Sequence, residues 1–528
     1  MRHIEKGIMS ISLLGIIICG TLSFFYCGTI NFQTYWESDV SYSKNGVLQI
    51  ITVLVGILVF VLLARFFRKS KRRITVLICV SCILFAVLVS VAWCMSNTYP
   101  AIADQKKIWD AILGFVKGSY DSIDQSYFEQ NYHQAGIVVL FAAILKVLKS
   151  QSIMVFRITN ILAAGATVAG LEWLSCELFH RNVIVIMTGI LSAVFFPICI
   201  YTSFIYGTSI SLALIVISFA ILVRFLRHGG KEKLVLLAAL LALAKLVYSG
   251  AAIAIVAVFI ILGMHAVSAV REHGVKACRI EIMGLILLVL IPVLAGTLVN
   301  VAFEKQSGIS NTGGIPATAY VLMGITSEGE NTACGPGSYD ATNVYIYEIS
   351  GRDHDAANKE ALSRINYAVR DYVRGRRNWK FFVKKLRNEW TDPWFSSAVM
   401  TVYLWSDELE ISDGFRAFLT CPFVQGIQSF LRAFKTGIYC LAAVAVGGIL
   451  YEMKKFKKLQ CDGSREEDWA KLLLPLYFLG GFVFYLFWEA KARYCFPYFV
   501  CLIPLAAYGL SKLADAAIWK TNGSKAEA

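Results

Sequence analysis

Long unbroken apolar runs, separated by short polar clusters, dominate the chain. A helix rises about 1.5 Å per residue, so a run of about 20 residues covers the roughly 30 Å hydrocarbon core of a bilayer. On this pattern spanning helices are expected near 8–29, 47–66, 74–95, 157–177, 183–204, 208–226, 232–247, 250–270, 281–301, 431–451, 470–488 and 495–514. The fold class that follows is an all-α polytopic membrane protein with about 12 spans. One further run, Ala135 to Leu148, is short for a crossing and carries Lys146 and Lys149 at one end.

Charge sets the topology. The 528-residue chain is 57% hydrophobic, a fraction no soluble domain of this size sustains without exposing aggregating patches, and its formal charge is +14. The excess of cations sits in clusters between spans, such as Arg65, Arg68, Lys69, Lys71, Arg72 and Arg73, where it orients the protein by the positive-inside rule. Nucleic-acid binding is therefore a poor reading. If 135–148 does not cross, the clusters around Arg224–Lys233, Arg271–Arg279 and Lys454–Lys458 all face inward; if it does, the first two are thrown outside. The rule favours a helix lying at, or dipping into, the outer surface. Both termini are then cytoplasmic, and 96–156 and 302–430 lie outside the cell membrane. The first run, Ile8 to Ile30, is too long for a signal-peptide core and reads as a retained first span.

Four parts follow: 1–73 with the two N-terminal spans, 74–301 with seven further spans and the outer loop 96–156, 302–430 as a mixed extracytoplasmic loop region, and 431–528 as a C-terminal transmembrane segment. Most of the 14 cysteines are scattered singles inside apolar runs and read as small core residues. Cys334 and Cys421 fall in the outer region, where pairing is open. Between Arg370 and Trp390 basic and aromatic residues interleave, which fits either an interfacial helix held by anionic lipid headgroups or a contact to a phosphate-bearing substrate.

The first outer loop places Asp104 at the start of an amphipathic stretch with Ile108, Trp109, Ile112, Leu113 and Val116 at helical spacing. A carboxylate there serves as a helix N-cap or as a general base toward a hydroxyl or amine. Asn131, Tyr132, His133 and Gln134 precede the short apolar run; His133 has no second His or Cys at metal-ligand spacing, and oxygen-ligand binding of a divalent metal through Asp104 stays open without a supporting ligand. Three spans present cations at the outer level: Arg157 opening one, Lys245 near the end of another, and Lys491 and Arg493 with Glu489 and Tyr494 in the last hairpin. Each alone can snorkel to headgroups; together they suit a lipid-linked phosphate.

An outer-loop Asp after an early span, an Arg opening the next span, and a final-hairpin Glu489-Ala490-Lys491-Ala492-Arg493-Tyr494 resemble the GT-C-type glycosyltransferases, in particular the protein O-mannosyltransferase and aminoarabinose transferase group. The resemblance covers most of the chain from about residue 74 onward. It implies a GT-C-like fold and inverting transfer of a sugar from a polyprenyl-phosphate donor to a cell-envelope glycan, glycolipid or protein acceptor at the outer leaflet. Asp104 would be the catalytic base, and Arg493, with Arg157 and Lys245, would hold the donor phosphate. Glu489, Tyr494, His133 and Gln134 are further site candidates. Three departures stand out. Asp104 is followed by Gln105 where many relatives carry Glu; a His-Pro-Pro element is replaced by Asn131-Tyr132-His133-Gln134; and the turn Tyr201 to Gly207 has no acid that could join Asp104 on a divalent metal. No cofactor follows from these residues, and a divalent metal on Asp104 has no evident second ligand. A transporter or flippase of lipid-linked saccharides and an envelope polysaccharide polymerase are the competing readings; midplane charges and a repeated, broken-helix architecture would mark a transporter, and neither is visible.

Overall fold

The computed structural model describes residues 2–30, 40–97, 101–274, 278–327, 335–401, 413–455 and 466–523. Helix α1 (Arg2–Phe25) leads into a two-stranded antiparallel hairpin, β1 (Tyr26–Ile30) and β2 (Val40–Lys44), paired from Tyr26↔Lys44 to Ile30↔Val40. Two long apolar helices follow, α2 (Val47–Phe66) and α3 (Arg72–Ser96). The first large loop holds α4 (Ala103–Lys117), α5 (Gln125–Gln130) and α6 (Ala135–Val147). The chain re-enters the bundle through α7 (Met154–Phe179), α8 (Asn182–Ala193), the short α9 (Pro197–Ile200), α10 (Thr208–His228), α11 (Lys231–Val247), α12 (Ala252–His273) and α13 (Arg279–Ser307).

The second large segment is mostly helical: α14 (Ala317–Thr326), α15 (Thr342–Ile349), α16 (His354–Val373), α17 (Lys380–Trp390), α18 (Ser397–Thr401) and α19 (Asp413–Thr420). The bundle closes with α20 (Pro422–Lys455), α21 (Glu466–Phe487), α22 (Ala492–Val500) and α23 (Ile503–Gly523). Among the described residues nine helices are long and apolar enough to cross a membrane, or 11 if α8 with the segment from Pro197, and α22 with α23, each count as one bent span. Those pairs bend by 55° and 48°. Prolines explain both breaks, because Pro197 and Pro504 each lack the N–H that would bond the carbonyl four residues back, and their rings crowd those carbonyls of Ala193 and Val500, the last residues of α8 and α22. Helix α11 has 17 residues, at the short end of the length that crosses a bilayer. Nine to 11 of the expected dozen spans are thus met among the described residues.

Helix α6 has 13 residues, about 20 Å of rise, too little to cross. It packs on α4, α11 and α13, and Gly136 allows its backbone to touch the Leu246 carbonyl, where any Cβ would collide. The two N-terminal spans, which read as an addition to a core starting near residue 74, pack into the C-terminal bundle: α1 on α20 and α21, α2 on α20 and α23. Ser12 Oγ donates to the Pro475 carbonyl at 3.0 Å, and the hydroxyls of Ser23 and Thr436 meet at 2.7 Å. The hairpin is also tied in, since the Gly28 N–H donates to Thr391 O at 3.1 Å. Any pairing of Cys421 with Cys334 involves the latter, which lies outside the described residues.

Candidate functional site

Both large loops, the turn before α10, the end of α11 and the turn between α21 and α22 gather at one end of the bundle. Entry into α4 is abrupt. Ile102 is the N-cap without a side-chain bond and Ala103 adopts φ +48°, a left-handed conformation uncommon for a residue with a Cβ. Asp104 therefore occupies the first turn, where the helix dipole favours a negative charge. It is not the cap. Among the described residues its carboxylate makes no hydrogen bond or ion pair, so it remains open to an incoming proton donor.

The adjacent Gln105 is buried and does the structural work. Its Oε1 accepts from the Ile205 N–H at 2.8 Å and its Nε2 donates to the Met400 carbonyl at 3.1 Å. One side chain thus binds the first loop, the turn before α10 and α18 together. Only an amide both accepts and donates here, which explains Gln where the resembled group often has Glu.

Tyr206, at the end of the 201–207 turn, is the centre of the arrangement. Gln134 Nε2 donates to its hydroxyl and lies 3.2 Å from His133 Nε2. The guanidinium carbon of Arg493 stands 5.8 Å from its ring centroid. Burial pushes the Tyr206 hydroxyl well above its ordinary value; the charge of Asp104 adds to that rise and Arg493 opposes it. Tyr127 is raised in the same way, by burial first, with Asp104 and Arg493 again acting in opposite senses. The charge of Asp104 is also felt at His133 and Tyr339. Its carboxylate and the Arg493 guanidinium thus act electrostatically on one aromatic cluster.

Arg493 begins α22 and is 8% exposed. Its Nη2 donates to the Tyr494 hydroxyl at 3.3 Å, and that hydroxyl donates to Glu489 Oε2 at 3.2 Å. The other Glu489 oxygen pairs with Lys491 at 3.2 Å, and Lys491 lies 5.6 Å from the Tyr339 ring. Tyr339 is pushed up by burial and by Glu489, against Lys491. The turn carrying these groups is clamped from the second loop. Ala490 N–H donates to Gly337 O at 2.7 Å, and Tyr320 stacks on Trp488 at 5.1 Å. Lys385 Nζ donates to Gly324 O at 2.7 Å and to Trp488 O. The Gly324 backbone sits so close to residues 487 and 488 that no Cβ would fit.

Glu489, Tyr494, His133 and Gln134 therefore join Asp104 and Arg493. Arg157 and Lys245 stand apart. Arg157 is buried and its Nη1 donates to the carbonyls of Asn97 at 3.0 Å and Cys94 at 3.5 Å. Asn97 in turn donates to Thr401 O at 2.7 Å and Ser203 Oγ at 3.3 Å. Arg157 thus satisfies carbonyls at the end of α3, where the first loop begins. Lys245 is exposed in the last turn of α11, and no partner for it is found among the described residues.

Sequence reasoning missed Tyr206, Tyr320, Tyr339 and the clamp residue Lys385. The basic stretch read as a surface, yet Lys385 is fully buried and burial pulls its ammonium down to about 8. Glu389, one turn later, is 1% exposed with neither carboxyl oxygen hydrogen-bonded among the described residues. Burial pushes it up to about 8, with Lys385 opposing. Their i, i+4 spacing with Phe381 was the available signal. Among the described residues no group of three or more His, Cys, Asp or Glu converges as a metal site would need.

The apolar spans define a polytopic integral membrane protein, with a cluster of charged and aromatic side chains at one end of the bundle. Residues 11–419 match the family described as "Conserved hypothetical integral membrane protein", and the chain belongs to it. No curated protein matches. Among solved structures, the chain overlaps the archaeal oligosaccharyltransferase AglB from Archaeoglobus fulgidus, solved with an inhibitory peptide and a dolichol-phosphate, at 12% identity and a TM-score of 0.39. The overlap covers 85% of this chain and 52% of that one, so the chain spans about half the length of that protein.

Proposed function

We propose that the protein is a membrane glycosyltransferase moving a sugar from a polyprenyl-phosphate donor to a cell-envelope acceptor on the extracytoplasmic face, with inversion. The observation carrying this reading is the contact of the Arg493 guanidinium with the Tyr206 ring, whose hydroxyl is raised by burial and further by the charge of Asp104. The motif order that resembles the GT-C group supports it as well.

In this reading Asp104 accepts the proton of the acceptor hydroxyl as its oxygen attacks the anomeric carbon. The bond from that carbon to the phosphate oxygen breaks on the opposite side, and the electron pair leaves with the polyprenyl phosphate. Arg493 offers a planar fork of donors to the departing phosphate, whose negative charge grows as the bond opens. Glu489 and Tyr494 hold that fork in place. Arg157 serves the site by fixing the start of the first loop.

The test is transfer by the purified protein in lipid, with labelled polyprenyl-phosphate sugars and envelope extracts, comparing wild type with Asp104→Asn. Loss of transfer by a factor of about 10²–10⁴ with intact donor binding supports the base. Equal transfer by both removes Asp104 from the chemistry. Movement of labelled lipid across the bilayer without transfer replaces the enzyme with a flippase.

A further inference from the structure

The elbow between α16 and α17 carries an unusual concentration of charge. From Arg370 to Arg387 there are eight cations and one carboxylate, Asp371. Four of the cations are engaged: Arg376 pairs with Asp371 at 3.6 Å, Arg377 lies over the Tyr372 ring at 5.9 Å, Arg387 over Tyr42 at 5.2 Å, and Lys385 is buried in the clamp. Arg370, Arg374, Lys380 and Lys384 point outward, and among the described residues none of them has a carboxylate partner. Large apolar side chains stand exposed between them: Val373 is 77% exposed, Trp379 61% and Val383 53%. Leu362, Val369 and Val373 extend the apolar stripe along α16 at helical spacing.

The elbow is continuous with a surface already facing lipid. Trp379 contacts Phe382 at 5.6 Å between ring centroids, and Phe382 contacts Phe487 at 6.3 Å. Phe487 ends the spanning helix α21, whose Val483 and Phe487 are each 46% exposed. The row of rings thus runs from the end of a spanning helix to the basic tip.

We propose that the α16–α17 elbow is a membrane-surface anchor binding anionic phospholipid headgroups, with Val373, Trp379 and Val383 in the boundary between headgroups and acyl chains. Arg370, Arg374, Lys380 and Lys384 supply the charge complementarity. An aromatic ring at the interface flanked by cations is the arrangement that favours this depth and this headgroup. The anchor does not depend on the transferase reading; it fixes the height of α17, and through Lys385 the height of the 488–493 turn.

Full-length protein is reconstituted in bilayers of phosphatidylcholine with phosphatidylglycerol, with bromine on the acyl chains of one lipid at a time. The Trp379 signal is the difference in fluorescence between wild type and Trp379→Phe. Quenching should be stronger by at least about twofold from brominated phosphatidylglycerol than from brominated phosphatidylcholine, and the preference should vanish in high salt or in the Arg374→Gln, Lys380→Gln, Lys384→Gln variant. Salt on the wild type alone decides the matter if the variant does not fold. Equal quenching by both lipids overturns headgroup selection. Quenching by aqueous iodide but by neither lipid overturns the anchor and leaves the elbow facing a soluble partner.

Discussion

The guanidinium of Arg493 stands over the ring of Tyr206, 5.8 Å from its centroid, although 287 positions separate them in the chain. This contact brings the last hairpin against the turn before α10, and Gln105 ties that same turn to the helix that bears Asp104. Base and phosphate-binding candidates are thus positioned by one shared element, so changes at its supports are expected to act on both.

Gln105→Glu keeps size and shape but removes the donor to Met400 O. A buried carbonyl would lose its partner and a charge would face it. Stability should fall by about 1–3 kcal/mol, read as a lower midpoint of thermal unfolding in detergent. An unchanged midpoint would show that the bridge contributes nothing to the fold.

Arg493→Lys retains charge and loses the fork. Donor affinity should drop about tenfold, measured by titration with a polyprenyl-phosphate sugar in nanodiscs, because a point charge cannot bond two phosphate oxygens in one plane. Wild-type affinity in this variant would detach Arg493 from the phosphate.

Arg157 and Lys245 separate by their surroundings. Arg157→Ala should lower kcat while donor affinity holds, since its donors already serve the carbonyls of Cys94 and Asn97. Lys245→Ala should change kcat/KM by less than about twofold, since its ammonium is exposed and has no partner among the described residues. A marked loss of donor affinity in either variant would return that residue to the phosphate site.

Glu389 has a predictable signature in pH. Its folded value is raised from 4.5 to about 8, so at pH between these the folded carboxyl keeps a proton that the unfolded chain has released. Its contribution to stability is complete below about 4.5 and is lost as pH rises toward 8. Glu389→Gln should remove that slope. Its unfolding midpoint relative to wild type should therefore climb by a few degrees from acidic pH to pH 8. A constant difference across the range would mean that Glu389 ionises normally in the fold.

The membrane class and nearly all spans were legible because lipid imposes a length and an apolar face that a linear pattern records. Asp104 and the Glu489–Tyr494 motif stood out as well, as charged groups set directly beside apolar runs. Tyr206 was not, since an aromatic before a helix has many ordinary explanations and only the fold shows Arg493 and Gln134 meeting on it. Lys385 was hidden for the opposite reason. It sits among seven other cations in a stretch that reads as a solvated face, and the two carbonyls it binds come from segments 61 and 103 positions away. The β1–β2 hairpin escaped because its strands are five residues each, too short for alternation to stand out.

The docking of α1 against α20 sets a schedule for biogenesis. Ser23 meets Thr436 across 413 positions. At roughly 5–20 residues per second, the first helix would wait tens of seconds after insertion for its final neighbour to be synthesised. During that interval Ser12 keeps its bond to the Ile8 carbonyl within the helix, whereas Ser23 lacks the Thr436 hydroxyl, which a chaperoning insertase or a provisional helix pairing would have to replace. Truncation anywhere before residue 422 would leave the first two spans without the bundle they were made to join.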